Sequence, residues 1–267
     1  MRREGAVAGY FYPNRKDELI QMLNILIPKI ENKKEAKGLL VPHAGYIYSG
    51  DVAGKVYASI KLPDSFIIIN PNHTGKGANI AIMNEGEWST PLGDVKIDIK
   101  LANSIIQYYD EIKVDAEAHL KEHSGEVQLP FIQFLKENFT FVPICIKESS
   151  YEKLNKVGIA IYKAILDFGM DVLIVASSDM THFQSAVEAE KMDQLAIEEM
   201  MKLKPKRLYG TVLDNKISMC GIFPAVVSMI ALKRLNCTRG ELVAYSHSGE
   251  KTGDYDDVVS YAGMIFY

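Results

Sequence analysis

Cysteine is scarce in this chain, with three among 267 residues. An odd number without paired spacing excludes a disulfide framework. Charge of one sign is also missing: 30 Lys and Arg stand against 34 Asp and Glu, for a formal net charge of −4, with the two signs interspersed. That leaves no basic stripe to neutralise phosphates, so nucleic acid is not an expected partner. Long hydrophobic runs are absent as well. No stretch approaches the roughly 18 apolar residues that cross a bilayer, and the opening "MRREGAVAGYFYP" lacks the apolar core of a secretion signal. A cytoplasmic protein without membrane contact is expected. Repeats, low-complexity tracts and Ser/Gly/Pro-rich linkers are missing too, which points to one domain over residues 1–267. What the chain does have is 48% hydrophobic residues, enough for a substantial core.

Those hydrophobic residues come in short runs that end in chemistry. In "LLVPHAGYIYSG" the run Leu39 to Val41 stops at Pro42 and hands over to His43. In "SFIIINPNHTG" the run Phe66 to Ile69 leads to His73, and in "DVLIVASSDMTHF" Val172 to Ala176 lead to Asp179 and His182. Between them lie helical patterns. "NRKDELIQMLNILIPKI" puts Leu19, Met22, Leu23, Leu26 and Ile27 on one face, with Asn14 placed to cap it, and Ser49 is placed to cap a second helix. "ANIAIMNEGEWSTPLGDVKID" has the Gly and Pro punctuation of a hairpin. A helix is expected from Ser185 to Leu203, another after Cys220, and two strands at "ELVAYSH" and "VVSYAGMIFY". Continuous apolar strands alternating with helices predict an α/β fold: a three-layer α/β/α sandwich around a mixed, mostly parallel sheet, with the last two strands antiparallel. Ligands in such folds bind beyond the carboxyl ends of the strands, which is where His43, His73 and His182 fall.

Neutral imidazole is the common side-chain ligand of zinc, copper and iron, so convergent histidines suggest a metal. Cys220, in "SMCGIFPAVV" just before a helix, reads two ways. A helix N-terminus favours its thiolate, which would complete a His, His, Cys set; equally, a small cysteine can simply be buried. His119 and His123 are four apart, on one face if helical, but Ser124 and Gly125 place His123 in a loop or cap, suited to acid/base or supporting work. Glu126 reads as a carboxylate complementing a helix dipole. Asp179, three residues before His182, is suited to orienting an imidazole or holding a metal-bound water. Ser177 and Ser178 lack a G-x-S-x-G context, which argues against a serine nucleophile.

The motifs "AGYFYP", "VPHAGYIYSG", "NPNHTG", "EHSGEVQLPF", "SSDMTHF", "CGIFPAVVSMI" and "YSHSGEKTGDYDDVVSYAGMIF" span nearly the whole chain. Together they resemble the Memo family, whose prokaryotic members are also called AmmeMemoRadiSam system protein B. That family is similar in fold to the class III extradiol dioxygenases, non-haem Fe(II) enzymes that open catechol rings. The resemblance implies a metal-binding cleft in which His43 and His73 are metal ligands, Cys220 stands in place of a glutamate ligand, and His182 is catalytic, with His123 as a further cleft histidine. It implies a divalent or redox metal, iron or copper first and zinc next. Thiolate in place of carboxylate softens the site and counts against ring cleavage. The function implied is a metal-dependent redox enzyme acting on a small molecule or peptide in the cleft. An alternative is a non-catalytic binding module, a peptide or phosphopeptide adaptor, since animal members are associated with phosphotyrosine signalling. The family's second name points to a functional link with a radical-SAM protein.

Overall fold

A computed structural model describes residues Met1–Tyr267. Its centre is four parallel strands: Gly38–Val41 pairs with Val172–Ser177, which pairs with Ser65–Pro71, which pairs with Thr140–Ile146. Apart from Thr140 every residue in these strands is buried, as expected where helices cover both faces. The flanks are antiparallel. Val258–Phe266 runs against Gly38–Val41 and also pairs with Gly240–His247 and His182–Gln184. At the far edge Ile80–Ile82 runs against Thr140–Ile146 and carries Lys113–Val114.

Alternate residues of each strand enter different cores. Leu40, Ile67, Ile69, Val142 and Ile174 meet Ile105, Ile161 and Val227 from helices Ile99–Tyr108, Tyr151–Phe168 and Ile222–Arg234. Leu39, Ile68, Phe141 and Val175 meet Leu23, Val56 and Ile132 from helices Lys16–Leu26, Tyr46–Ala58 and Leu129–Leu135. The result is the expected α/β/α sandwich with a mixed sheet. Helix Ile222–Arg234 has ten buried residues of 13 because it lies between the sheet and two further helices, Tyr151–Phe168 and Pro205–Asp214. A helix apolar on every side needs such a place. No helix is long and apolar enough to cross a membrane.

The expected hairpin is present as Glu87–Thr90 against Gly93–Lys96, and Arg2–Arg3 adds a third strand to it. Two expected caps are not used. The first helix starts at Lys16 with Arg15 at its cap position and no capping side chain, so Asn14 lies outside it. The second starts at Tyr46, three residues before Ser49, because the backbone N–H of Tyr46 donates to the carbonyl of Phe11. A neighbouring segment thus satisfies a donor that a capping side chain would otherwise take. Helix Pro205–Asp214 was not anticipated; its signal is Pro205 in the first turn.

Candidate metal centre

Three of the four central strands lead at the sheet's carboxyl edge into a polar residue of the cleft: His43, His73 and Asp179. Past Val41 comes His43, only 2% exposed, whose backbone N–H donates to Oδ1 of Asp179 at 2.7 Å. Its Nδ1 lies 2.9 Å from Oγ of Ser177. That hydroxyl spends its one hydrogen on the carbonyl of Ser124 at 2.7 Å, so it must accept from Nδ1–H of His43. The tautomer is thereby set: the lone pair of His43 is on Nε2.

His73, past Pro71, is fixed by the same logic. Its backbone N–H and its Nδ1 lie 2.6 and 2.9 Å from the two oxygens of Glu122. A carboxylate only accepts, so Nε2 of His73 is again the free nitrogen. Burial pushes the Glu122 carboxyl upward, but hydrogen bonds from His73 and Ser124 outweigh it and bring it down to about 2. His123 occupies the loop just after Glu122, with its ring stacked on His73 at 4.7 Å and tilted against Phe11 at 4.7 Å. One ring nitrogen from each of His43, His73 and His123 lies within 4.8 Å of the others. These three residues are positioned to hold a metal ion.

The electrostatics suit ligation. Burial, followed by the neighbouring imidazoles His123 and His73, holds His43 well below the usual histidine range, and burial takes His123 down to about 4. Both are neutral at pH 7, the form that binds a metal. Burial raises Asp179 to about 6, against the hydrogen bond it accepts from His43.

Sγ of Cys220 lies 3.2 Å from Nε2 of His43 and accepts from the N–H of Asp179 at 3.3 Å. It stands on the Asp179 side of His43, outside the group formed by the three histidines. Burial and the Asp179 carboxylate push its thiol up, so the expected preference for thiolate at a helix start is overridden. A metal cation beside it would reverse that balance. Gly221 makes this position possible: a Cβ there would come within 2.3 Å of Ser178 Cβ and 2.4 Å of the Ser177 carbonyl.

His182 is on the rim. Its Nδ1 is 2.8 Å from the carbonyl of Met180, so it donates there and keeps Nε2 free, and its backbone N–H donates to Ser218 Oγ at 2.8 Å. Together His43, His73, His123, Asp179 and His182 line a cleft of about 500 Å³, whose other walls include Phe11, Tyr48 and Tyr261.

His119 does not join them. Helix Glu117–Leu120 ends before His123, and His119 is fully buried against Trp88 with no hydrogen-bond partner on its ring nitrogens. Glu126 does stand in the first turn of a short 3-10 helix, Glu126–Gln128, but its contacts go further than the helix dipole. It is fully buried, pairs with Arg3 at 2.7 Å and accepts from the N–H groups of Ala6 and Val7 and the hydroxyl of Tyr12. Sequence reasoning missed Glu122, Ser177 and Gln128 as supports. Gln128 donates to both the Pro42 carbonyl and Ser177 Oγ at 3.0 Å. For Glu122 the available signal was an acid directly before His123; for the other two there was none.

A family model described as "Memo-like protein" matches residues 3–265. A MEMO1 family protein of Aquifex aeolicus is 44% identical over 268 residues, covering 99% of this chain and 98% of its own length. One from Methanococcus maripaludis is 38% identical over 283 residues, with 99% of each chain covered. Among solved structures, an uncharacterized Escherichia coli K12 protein is similar in fold, with a TM-score of 0.55 at 12% identity over 86% of this chain and 100% of its own.

Proposed function

The chain belongs to the Memo family, and from the chemistry of its cleft we propose that it is a cytoplasmic metal-dependent redox enzyme acting on a small molecule or peptide. In this reading His43, His73 and Cys220 hold iron or copper, with zinc as a weaker fit, and His123 stands beside them. The carrying observation is the pair of anchored imidazoles, His43 and His73, each with one ring nitrogen within 4.8 Å of the other's and of one from His123, at the carboxyl end of the sheet. For Cys220 the support is its distance to His43 alone, since it lies outside the group of three histidines. Two ligands bound at about 2.1 and 2.3 Å with an angle between 90° and 110° lie about 3.1–3.6 Å apart, and the observed Sγ to Nε2 separation is 3.2 Å.

An iron or copper ion held there would supply one-electron chemistry and Lewis acidity. The chain's own residues supply the rest. His182, with Nδ1 fixed on the Met180 carbonyl, offers Nε2 at the rim to take or give a proton. Asp179 holds the His43 backbone and lies against Cys220. Phe11, Tyr48 and Tyr261 supply aromatic walls against which a ligand can pack. The sulfur ligand favours redox chemistry over ring opening, because a soft thiolate disfavours the hard dicationic iron that ring opening uses.

The test is elemental analysis of protein purified without added metal, alongside His43→Ala and Cys220→Ser. The expected result is close to one iron or copper per wild-type chain, with loss in His43→Ala. A wild-type protein that takes up no first-row metal would defeat this reading and leave the peptide or phosphopeptide adaptor.

A further inference from the structure

The loop that carries Glu122 and His123 has no regular structure between Leu120 and Glu126. Arg3, from the far end of the chain, holds it. Its side chain is fully buried, and its three nitrogens reach one point within the loop and one on each side of it. Nε donates to the carbonyl of His119 at 2.7 Å, Nη2 to the carbonyl of Glu122 at 2.6 Å, and Nη1 to Oε2 of Glu126 at 2.7 Å. The guanidinium lies 4.1 Å from the centre of the Trp88 ring. Glu126 in turn gathers the N–H groups of Ala6 and Val7 and the Tyr12 hydroxyl, fixing the segment that lays Phe11 against His123.

A guanidinium is a planar fork with donors in fixed directions, so three acceptors bound to it are held at fixed spacing. A buried ion pair is weak evidence for stability, since an apolar replacement of similar volume often does as well. What this pair uniquely does is set the path of the loop. Glu122 is bound through its carbonyl to Arg3 and through its carboxylate to His73. We propose that Arg3 and Glu126 form a buried clamp that positions Glu122 and His123, and through them His73, and so sets the metal affinity of the cleft. This rests on the reading that His43 and His73 are metal ligands.

The test measures zinc affinity by competition with a chromophoric chelator. Arg3→Lys keeps the charge but loses the fork; Arg3→Met/Glu126→Gln removes both charges, in case the single variant folds poorly. Ile161→Ala, in the opposite core, is a control for lost stability alone. Both clamp variants should bind zinc about 10–100-fold more weakly, the usual cost of losing a group that orients a ligand, while the control stays within about twofold of wild type. In a Glu122→Ala/His123→Ala background, Arg3→Lys should have no further effect. A folded clamp variant that binds zinc like wild type, or a clamp effect that persists undiminished in that background, overturns the proposal while leaving the metal reading intact. A wild-type chain that binds no zinc, iron or copper defeats the metal reading and the clamp with it.

Discussion

The sulfur of Cys220 and Nε2 of His43 are 3.2 Å apart, although 177 positions separate them in the chain. Strand Gly38–Val41 brings His43 to the sheet edge, and the close approach of Gly221 to Ser178 brings Cys220 down onto it. With Nδ1 of His43 committed to Ser177, the sulfur faces the one nitrogen left for a metal. The contact is therefore either a thiol bonded to an imidazole or two ligands of one ion.

Replacing the sulfur separates those roles. Cys220→Ser should reduce affinity for zinc and copper(I) by about 10–100-fold, because a hydroxyl is a poor soft-metal ligand. The cobalt-substituted protein should lose its sulfur-to-metal charge-transfer band. An unaltered spectrum in Cys220→Ser would show that the sulfur is only a hydrogen-bonding neighbour and that His123 completes the ligand set.

His182 should behave differently from His43. It is tethered through Nδ1 to Met180 and lies outside the group of three converging imidazoles. Metal content of His182→Ala should match wild type, while His43→Ala should lose most of its metal. Equal loss in both would move His182 into the ligand set.

The layers were legible in the sequence because burial on both faces of a parallel sheet leaves uninterrupted apolar runs, such as Phe66 to Ile69, and the end of each run marks the sheet edge where polar residues gather. His43, His73, Asp179 and His182 are legible in that way. The supports are not. Ser177 and Gln128 orient His43 through contacts 134 and 49 residues long, and no local pattern marks a serine or glutamine for that role. For Glu126 only the first-turn position was legible, because its partner, Arg3, is 123 positions away. His119 was readable only as half of a four-residue spacing, and the short helix Glu117–Leu120 ends before that spacing can act.

Acid should unfold the metal-free protein partly through His119. Burial, with help from the Arg3 charge, lowers this histidine to about 3. An unfolded histidine takes up its proton near pH 6.5, so below that pH the unfolded state binds more protons than the folded one. Stability is then fully present above about pH 6.5 and falls as the pH drops toward 3, by up to about 1.4 kcal/mol per pH unit from this group. His43 and His123, also lowered, act in the same direction. Urea unfolding with a chelator present, run from pH 7 to 5, should give His119→Phe a shallower loss of stability than wild type by about one proton's worth. Parallel curves would mean that His119 is already protonated in the fold.

A methyl group at residue 221 should disturb the metal centre without touching a ligand. Its carbon would meet Ser178 Cβ at 2.3 Å and the Ser177 carbonyl at 2.4 Å, and strand Val172–Ser177 is fixed on both sides by its neighbours. The segment that can give way is the one carrying Cys220. Gly221→Ala should therefore fold with a stability loss of about 1–3 kcal/mol, the usual cost of overpacking, and should bind zinc as weakly as Cys220→Ser. Gly210 is the contrast. In helix Pro205–Asp214 a Cβ there meets nothing nearer than an Asp214 oxygen at 3.8 Å. Gly210→Ala should gain about 0.4–1 kcal/mol by restricting the unfolded chain and leave zinc binding at the wild-type value. If Gly221→Ala loses stability but keeps full zinc affinity, the sulfur does not depend on this close approach for its place beside His43.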